Sequence, residues 1–335
     1  MLIREHQENQ EYEVLSLFAA KSRDSRGRRF YSEPCPIRTS YQRDRDRIIH
    51  CKSFRRLKHK TQVFIAPEGD HFRTRLTHTL EVAQVARTLA RALRLNEDLT
   101  EAVALAHDLG HTPFGHIGEH VLNTLIPNGF RHNEQSLRMV DHLEGTMPKA
   151  LNLTYEVRDG ILHHSGSKMP ETLEGVCVSI ADRIAYIHHD IDDALRAGLL
   201  TVQDLPEECV SVLGQTHGQR MNTMVIDIVN ASYEKEQVVM SDNIAHAVGV
   251  LRDFLFKRVY HEAWRAKEEE KCKHVIEALF NHFINHVDNM PEEYKHIADQ
   301  EGSIQGVCDF IACMTDRYAL RVYENLYIPS CFPMV

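Results

Sequence analysis

Residues 101–119 read EAVALAHDLGHTPFGHIGE, and this stretch decides the fold and points to the chemistry. Alanine and leucine recur at helical spacing in its first half, which predicts an apolar helix over Glu101–Leu109. His107 and Asp108, two residue types that commonly bind metals, lie on this helix, and Gly110 is predicted to end it. Charge at the end of a buried helix costs free energy unless a partner neutralises it. We therefore expect a bound divalent cation here.

More polar side chains follow directly after this helix. His116 and Glu119 are three positions apart, so they share one face if the chain is helical there. This spacing predicts an acid/base pair, or a pair that orients the nucleophile. His107 and His111 have the spacing of two metal ligands on a helix, but Gly110 interrupts the helix between them. No glutamate follows His107, so the HExxH pattern of metalloproteases is absent, and we disfavour this pair as the metal site.

The overall composition excludes several classes of function. The 48 acidic residues against 39 basic ones give a net charge of −9, which argues against a general nucleic-acid or anionic-membrane binder. The eight cysteines form no CxxC pair, so we interpret them as reduced thiols of a cytosolic protein. The N-terminus lacks the apolar core of a signal peptide, and no segment reaches the roughly 18 apolar residues of a membrane span. We expect a cytoplasmic protein with no membrane partner, and no nucleic-acid partner is indicated.

Helical periodicity, with no strand-rich section, internal repeat or low-complexity tract, predicts an all-α chain. Residues 1–40 are predicted to form a loosely ordered arm, and residues 67–70 a turn. Gly198 is a candidate C-cap just past one long helix. The predicted helices span residues 39–60, 75–94, 101–109, 131–144, 156–164, 174–195, 242–270, 272–287 and 303–326.

A dense positive run marks the helix that is predicted from Thr39 onwards. One interpretation is an ordinary solvated helix face. The other is a wall that faces phosphate, because arginine and lysine neutralise polyphosphate well. The run comprises Arg43, Arg45, Arg47, Lys52, Arg55, Arg56, Lys58 and Lys60.

Two further candidate metal ligands come from two other predicted helices. His78 heads a stripe of apolar residues at helical spacing, where the alternative role is that of a satisfied core histidine. Asp182 follows an apolar run, where an unpaired carboxylate would be unfavourable. Together with the His107–Asp108 pair they form a mixed nitrogen and oxygen set without thiolates. Such a set suits one divalent ion from among Mn²⁺, Mg²⁺, Fe²⁺, Co²⁺, Ni²⁺ and Zn²⁺.

This ligand set suits hydrolysis of a phosphate ester. Four protein ligands leave two positions on an octahedral ion for a water and a phosphate oxygen. Arg75, one turn before His78, would clamp a phosphate beside the ion. The chain contains no Walker A loop, no GxGxxG and no Gly-x-Ser-x-Gly elbow.

The spacing His78, His107-Asp108, Asp182 resembles the HD phosphohydrolase superfamily. Longer stretches resemble the bacterial deoxyguanosinetriphosphate triphosphohydrolase family, in its type 2, dGTPase-like branch. These stretches are RDRDRII at 43–49, FRRLKHKTQVF at 54–64, RTRLTH at 73–78, HDLGHTPFGH at 107–116 and MTDRY at 314–318.

The resemblance implies an all-α HD-domain helical bundle with additional C-terminal helices and one divalent metal ion. It implies hydrolysis of a deoxynucleoside triphosphate (dNTP) at the α-phosphate to deoxynucleoside and tripolyphosphate, and a homo-oligomer. We expect an N-terminal arm and basic helix at 1–60, the HD metal-binding catalytic core at 61–200, and a C-terminal helical extension packed on that core at 201–335.

The resemblance also implies a role for each matching position. The implied metal ligands are His78, His107, Asp108 and Asp182. His116 resembles the catalytic histidine, and Glu119 the carboxylate that orients it. The implied substrate contacts are Arg75, His111, His132 and Arg183 with phosphate, Tyr186 and Asp190 with the sugar and its 3′-hydroxyl, and Gln62 beside the nucleoside.

Two other functions are compatible with the same residues. One is an HD-type nucleotide phosphomonoesterase or phosphodiesterase. The other is a nucleotide-binding regulator without turnover, although the intact ligand set and the presence of His116 and Glu119 argue against it. Base preference depends on pocket shape and a few hydrogen bonds, which these motifs do not specify.

Overall fold

The computed structural model describes residues 1–62, 73–146, 149–259 and 263–329, with only the backbone described for residues 263–266. Within these residues the chain forms sixteen α-helices and no β-strand, which confirms the all-α class. The predicted turn at 67–70 lies outside the described residues. None of the described helices combines the length and the apolarity that crossing a membrane requires.

The helices have the following bounds. The first nine are α1 (Ile3–Val14), α2 (Ser40–His50), α3 (Lys52–Arg56), α4 (Arg75–Ala92), α5 (Glu97–Ala106), α6 (His116–Leu125), α7 (His132–Arg138), α8 (Tyr155–His163) and α9 (Leu173–Arg196). The remaining seven are α10 (Glu207–Leu213), α11 (His217–Ser232), α12 (Asp242–Arg258), α13 (Ala263–Asn285), α14 (Glu292–Glu301), α15 (Ser303–Ala312) and α16 (Asp316–Tyr327).

Helices α4 and α9 pack along each other and form the centre of the molecule. The Thr74 side chain caps α4 by accepting from the Thr77 amide, and the apolar stripe behind His78 is buried as its spacing predicts. Thr172 caps α9 in the same way, and Gly198 follows its end with φ +70°, as expected of a C-cap glycine. Both helices contribute to two apolar cores, one with α2, α5–α8 and α13–α16, the other with α10–α12.

The chain between α5 and α6 carries the motif that decides the fold. Helix α5 ends at Ala106, earlier than predicted, so the following residues through Gly110 form turns. Gly110 passes so close to α7 that a Cβ there would lie 2.1 Å from the Ser136 backbone nitrogen. Phe114 and Gly115 both have left-handed φ, +61° and +58°, and this reversal places His116 at the first position of α6.

Several sequence-based helix predictions are wrong in their bounds. Residues 3–14 form α1 and so do not belong to a loosely ordered arm. The helix predicted over 242–270 ends at Arg258 as α12, and α13 begins at Ala263. The helix predicted over 303–326 is two helices, because the Thr315 side chain accepts from the Tyr318 amide and caps a new helix.

The phosphate-facing interpretation of the basic run is wrong for the part of the chain that the structure describes. None of these side chains lines the cavity between α4, α9 and α12 that holds the predicted site residues. Arg45 pairs with Asp98 at 3.1 Å, and Arg56 pairs with Glu144 at 2.9 Å. Lys60 is buried, and its ammonium donates to the carbonyl oxygens of His111 and Ala312. Arg45 and Arg56 therefore tie α2 and α3 to their neighbours, whereas Lys52, Arg55 and Lys58 are exposed.

Candidate active site

A cavity of about 610 Å³ opens between α4, α9, α12 and the chain that joins α5 to α6. All the sequence-predicted site residues line it except His107 and Glu119, which lie directly behind its wall. The lining residues from the prediction are Gln62, Arg75, His78, Asp108, His111, His116, His132, Asp182, Arg183, Tyr186 and Asp190.

The four predicted metal ligands lie together, His78, Asp108 and Asp182 on the lining of this cavity and His107 directly behind it. His78 Nε2 is 3.0 Å from Asp182 Oδ1 and 3.9 Å from Asp108 Oδ2. His107 Nε2 is 3.5 Å from Asp108 Oδ1 and 3.8 Å from Asp182 Oδ1. Three helices or their ends thus deliver two imidazole nitrogens and two carboxylates to one point.

The cluster fits a divalent cation. His107 donates from Nδ1 to the Ala104 carbonyl oxygen at 2.7 Å, so its Nε2 carries the lone pair. That Nε2 is buried and has no hydrogen-bond partner among the described residues. Burial alone would raise the pKa of Asp108, but the neighbouring His107, His111 and Arg75 hold this pKa well below its ordinary value. An orphaned imidazole nitrogen beside ionised carboxylates is the environment that a divalent metal ion satisfies.

Arg75 provides positive charge at the edge of the cluster. Its guanidinium is buried and donates from Nη1 to Asp108 Oδ2 at 2.7 Å. Its Nε and Nη2 are also buried and have no acceptor within the described residues. Burial and the charge of Arg75 keep the pKa of His111 well below its ordinary value, so His111 is neutral. Two unused guanidinium donors on a residue that lines the cavity are suited to an anionic ligand.

Glu119 joins two histidines at the cavity wall. Its carboxylate accepts from His116 Nδ1 at 3.1 Å and from His132 Nδ1 at 2.9 Å. Burial would raise the pKa of Glu119, but these two hydrogen bonds outweigh it and lower the pKa strongly. The His116 ring is 77% exposed, so the predicted catalytic pair has one orienting carboxylate and one accessible imidazole.

His164 completes this network, and the sequence analysis missed it. It donates from Nδ1 to the Ile161 carbonyl oxygen, and burial lowers its pKa to about 3. His164 is therefore neutral, and its Nε2 carries a lone pair. That Nε2 lies 3.2 Å from His132 Nε2, which must therefore carry a proton. Burial lowers the pKa of His132, but Glu119 outweighs burial and raises it. Hydrogen bonding thus makes His132 an imidazolium. The only signal in the sequence is the histidine pair that ends α8.

Helices α9 and α12 line another part of the cavity. Arg183, Tyr186 and Asp190 line it from one face of α9, at spacings of three and four residues. Arg252 and Phe256 line it from α12, and both were missed. The sequence predicted a helix there, but its periodicity does not reveal which face turns toward a distant helix.

Comparisons with known proteins identify the family of this chain. Residues 75–187 match the HD domain, and residues 238–325 match the phosphohydrolase-associated domain. A deoxyguanosinetriphosphate triphosphohydrolase-like protein from Caldanaerobacter subterraneus is 58% identical over 98% of this chain and 97% of its own. The chain belongs to the deoxyguanosinetriphosphate triphosphohydrolase-like family. This confirms the resemblance and makes the chain an HD-type hydrolase.

Other relatives extend the comparison. A family member from Clostridium tetani is 48% identical over 98% of this chain and 97% of its own. A solved structure of a hypothetical protein from Aquifex aeolicus matches 83% of this chain and 67% of its own, with 19% identity and a TM-score of 0.47. The phosphohydrolase-associated match includes α12, which carries the two cavity residues that the sequence analysis missed.

Proposed function

We propose that this protein is a metal-dependent triphosphohydrolase that cleaves a dNTP at the α-phosphate, releasing a deoxynucleoside and tripolyphosphate. The observation that carries the proposal is the cluster of His78, His107, Asp108 and Asp182 at the lining of a cavity with the unused donors of Arg75 at its edge. The names of the relatives support a nucleoside triphosphate as substrate.

The residues of the cluster would hold one divalent cation, chosen from Mn²⁺, Mg²⁺, Fe²⁺, Co²⁺, Ni²⁺ and Zn²⁺ because the set is mixed in nitrogen and oxygen. A bound cation supplies Lewis-acid polarisation of a phosphoryl oxygen and lowers the pKa of a bound water. Arg75 would then donate to phosphate oxygens. The His132 imidazolium would attract them through its charge, because both of its N–H groups already donate, one to Glu119 and one to His164. His111 would lie beside the phosphates, and Arg183 would reach the triphosphate from α9. These side chains offset the negative charge that increases at the transferred group.

His116 moves the proton. Its Nδ1–H donates to Glu119, so Nε2 is the basic atom. His116 accepts a proton from the attacking water at Nε2 as the new oxygen–phosphorus bond forms. It returns a proton to the 5′-oxygen as the bond between that oxygen and the α-phosphorus breaks. The products are the free 5′-hydroxyl of the deoxynucleoside and intact tripolyphosphate, so atoms and protons balance.

The part of the cavity that α9 and α12 line would hold the nucleoside. Tyr186 packs on the sugar, Asp190 binds its 3′-hydroxyl, and Gln62 borders the nucleoside. The position of all three on the cavity lining supports these roles.

The test is product analysis. Metal-loaded protein is incubated with each of the four dNTPs, and the phosphate product is identified by anion exchange. We expect tripolyphosphate in amounts equal to the deoxynucleoside. Orthophosphate as the first product would instead indicate a phosphomonoesterase, and no product from any dNTP would indicate a binding protein without turnover.

A further inference from the structure

A second hydrogen-bonded chain lies behind the cation cluster, away from the cavity. His78 points Nε2 at Asp182, and its other ring nitrogen, Nδ1, lies 3.2 Å from His189 Nδ1. His189 Nε2 lies 2.5 Å from Glu81 Oε2. Neither His189 nor Glu81 lines the cavity, so neither is placed to touch substrate.

This chain is held by both central helices. Glu81 follows His78 by three residues on α4, and His189 projects from α9. Arg73 fixes Glu81 with hydrogen bonds from Nε at 3.2 and 3.3 Å. The same guanidinium reaches Asp193 on α9 at 3.1 Å. The carboxylate at the outer end therefore has a fixed position relative to both helices.

Proton placement gives the chain a direction. A His78 that binds a cation through Nε2 has its proton on Nδ1, and that proton must be donated to His189 Nδ1. His189 then has its own proton on Nε2, and it donates that proton to Glu81. A proton on both Nδ1 atoms would produce a clash, and a proton on neither would bring two lone pairs together. The arrangement Glu81, His189, His78 thus favours one tautomer of the ligand.

We propose that His189, held by Glu81, is a positioning residue that fixes His78 in the tautomer and ring orientation that present Nε2 to the cation. This inference rests on the proposed metal-binding role of His78. The other imidazole ligand is fixed by a simpler device, since His107 donates to the backbone carbonyl of Ala104. Partners of this kind typically contribute about 10- to 100-fold in metal affinity.

The experiment measures affinity for Mn²⁺ alone, by calorimetric titration of metal-free full-length protein. His189→Phe removes the acceptor, and we expect its affinity to be about 10- to 100-fold weaker. His189→Asn places an amide oxygen near the former Nδ1, and we expect it to recover most of that loss. Glu81→Gln keeps an acceptor for His189 but removes the charge, and we expect a loss of up to about tenfold. His188→Phe is the matched control, because His188 is equally buried on the same helix and donates to the Ile184 carbonyl oxygen.

Thermal unfolding of each variant accompanies the titration. A folded His189→Phe variant that binds Mn²⁺ within twofold of the parent would overturn the inference, as would an equal loss in His188→Phe. If His189→Phe does not fold, Glu81→Gln decides, because its side chain is 42% exposed and the substitution leaves the core intact. Parental affinity in Glu81→Gln then overturns the inference. The unsubstituted protein distinguishes failure of the proposed function from failure of this inference. If only the proposed function fails, this protein binds Mn²⁺ but releases no tripolyphosphate.

Discussion

Two carboxylate–histidine systems flank the four proposed metal ligands. They share residue types but differ in the exposure and in the charge of their imidazoles. In the rear system, Glu81 and His189 lead to His78, a proposed metal ligand, and both imidazole side chains are at most 2% exposed. At the cavity wall, Glu119 is shared by His132 and by His116, whose ring is 77% exposed. Two buried imidazoles can stay in one protonation state, whereas an exposed imidazole can exchange its proton with water. The exposure of the imidazoles thus distinguishes the proposed positioning system from the proposed proton-transfer system.

The charge states of the two systems also differ. Burial lowers the pKa of His189, so the rear system joins a neutral imidazole to a carboxylate. At the cavity wall the pKa of His132 is raised, because Glu119 outweighs burial, and the result is an ion pair. An imidazole that accepts the proton of a metal-binding histidine must itself be neutral. A cationic imidazole is suited to a site for triphosphate.

The strongest test of the comparison is Asp182→Asn, which removes a carboxylate from the cluster that both systems serve. We expect turnover to fall on the order of 10⁴-fold, because the cation's stabilisation of the transition state amounts to several kcal/mol. Mn²⁺ affinity should fall with it. Initial rates and metal content by plasma mass spectrometry check both results. Asp299→Asn on the exposed face of α14 is the control, and full metal occupancy in Asp182→Asn would remove Asp182 from the ligand set.

His116→Ala should separate the two systems. We expect turnover to fall about 10²- to 10³-fold through loss of general acid/base catalysis, with Mn²⁺ affinity within twofold of the parent. Single-turnover kinetics and metal titration provide the measurements. Unchanged turnover in fully loaded protein would show that another group moves the proton.

The pH dependence of substrate binding should report the cavity-wall system. The raised pKa of His132 keeps its imidazolium above the ordinary histidine pKa of roughly 6.5. Its stabilisation of the folded state is therefore complete below pH 6.5 and is lost as pH rises through the raised value. We expect KM for the dNTP to rise about tenfold across the same interval, since the attraction between the imidazolium charge and the triphosphate is lost. In His132→Asn, KM should be high at every pH and should no longer rise with pH. If KM still rises with pH in this variant, another group is responsible for the pH dependence.

Local patterns were sufficient for much of the site. His78 and Asp182 stood out because each is a polar residue within an apolar helical run, and the structure brings both to the His107–Asp108 pair. The break before Asp316 was also encoded locally, in the capping side chain of Thr315, but the apolar periodicity on either side obscured it.

What the sequence did not reveal depends on how distant helices are rotated against each other. Arg252 and Phe256 reach the cavity only because α12 packs on α9 with that face inward. The partner of His189 was equally hidden, since Glu81 lies 108 residues earlier (189 minus 81) on another helix. The basic run was misread for the same reason, because Arg56 pairs with Glu144, 88 residues away.

The smallest expected effect concerns the C-terminal helices. They support the cavity-wall system of Glu119, His116 and His132 and not the rear system of Glu81, His189 and His78. Asp316 at the start of α16 accepts from the Phe114 amide at 3.0 Å and from the Thr61 amide at 2.9 Å. Phe114 has a left-handed φ, which is costly for a residue with a side chain, and it leads directly into His116. Asp316 therefore holds the strained turn that precedes His116, the proposed catalytic histidine.

Asp316→Asn replaces one acceptor oxygen with an NH₂ group that faces a backbone N–H. We expect a loss of about 1–3 kcal/mol in the free energy of unfolding and a fall of several degrees in Tm. Turnover should fall less than tenfold, because the turn carrying His116 loosens while the general acid/base group remains. Mn²⁺ affinity should not change, because His107 and Asp108 precede the turn and the chain from Glu81 to His78 lies on α4 and α9. If Asp316→Asn lost as much metal affinity as His189→Phe, the two systems would share one support. That result would contradict their separation.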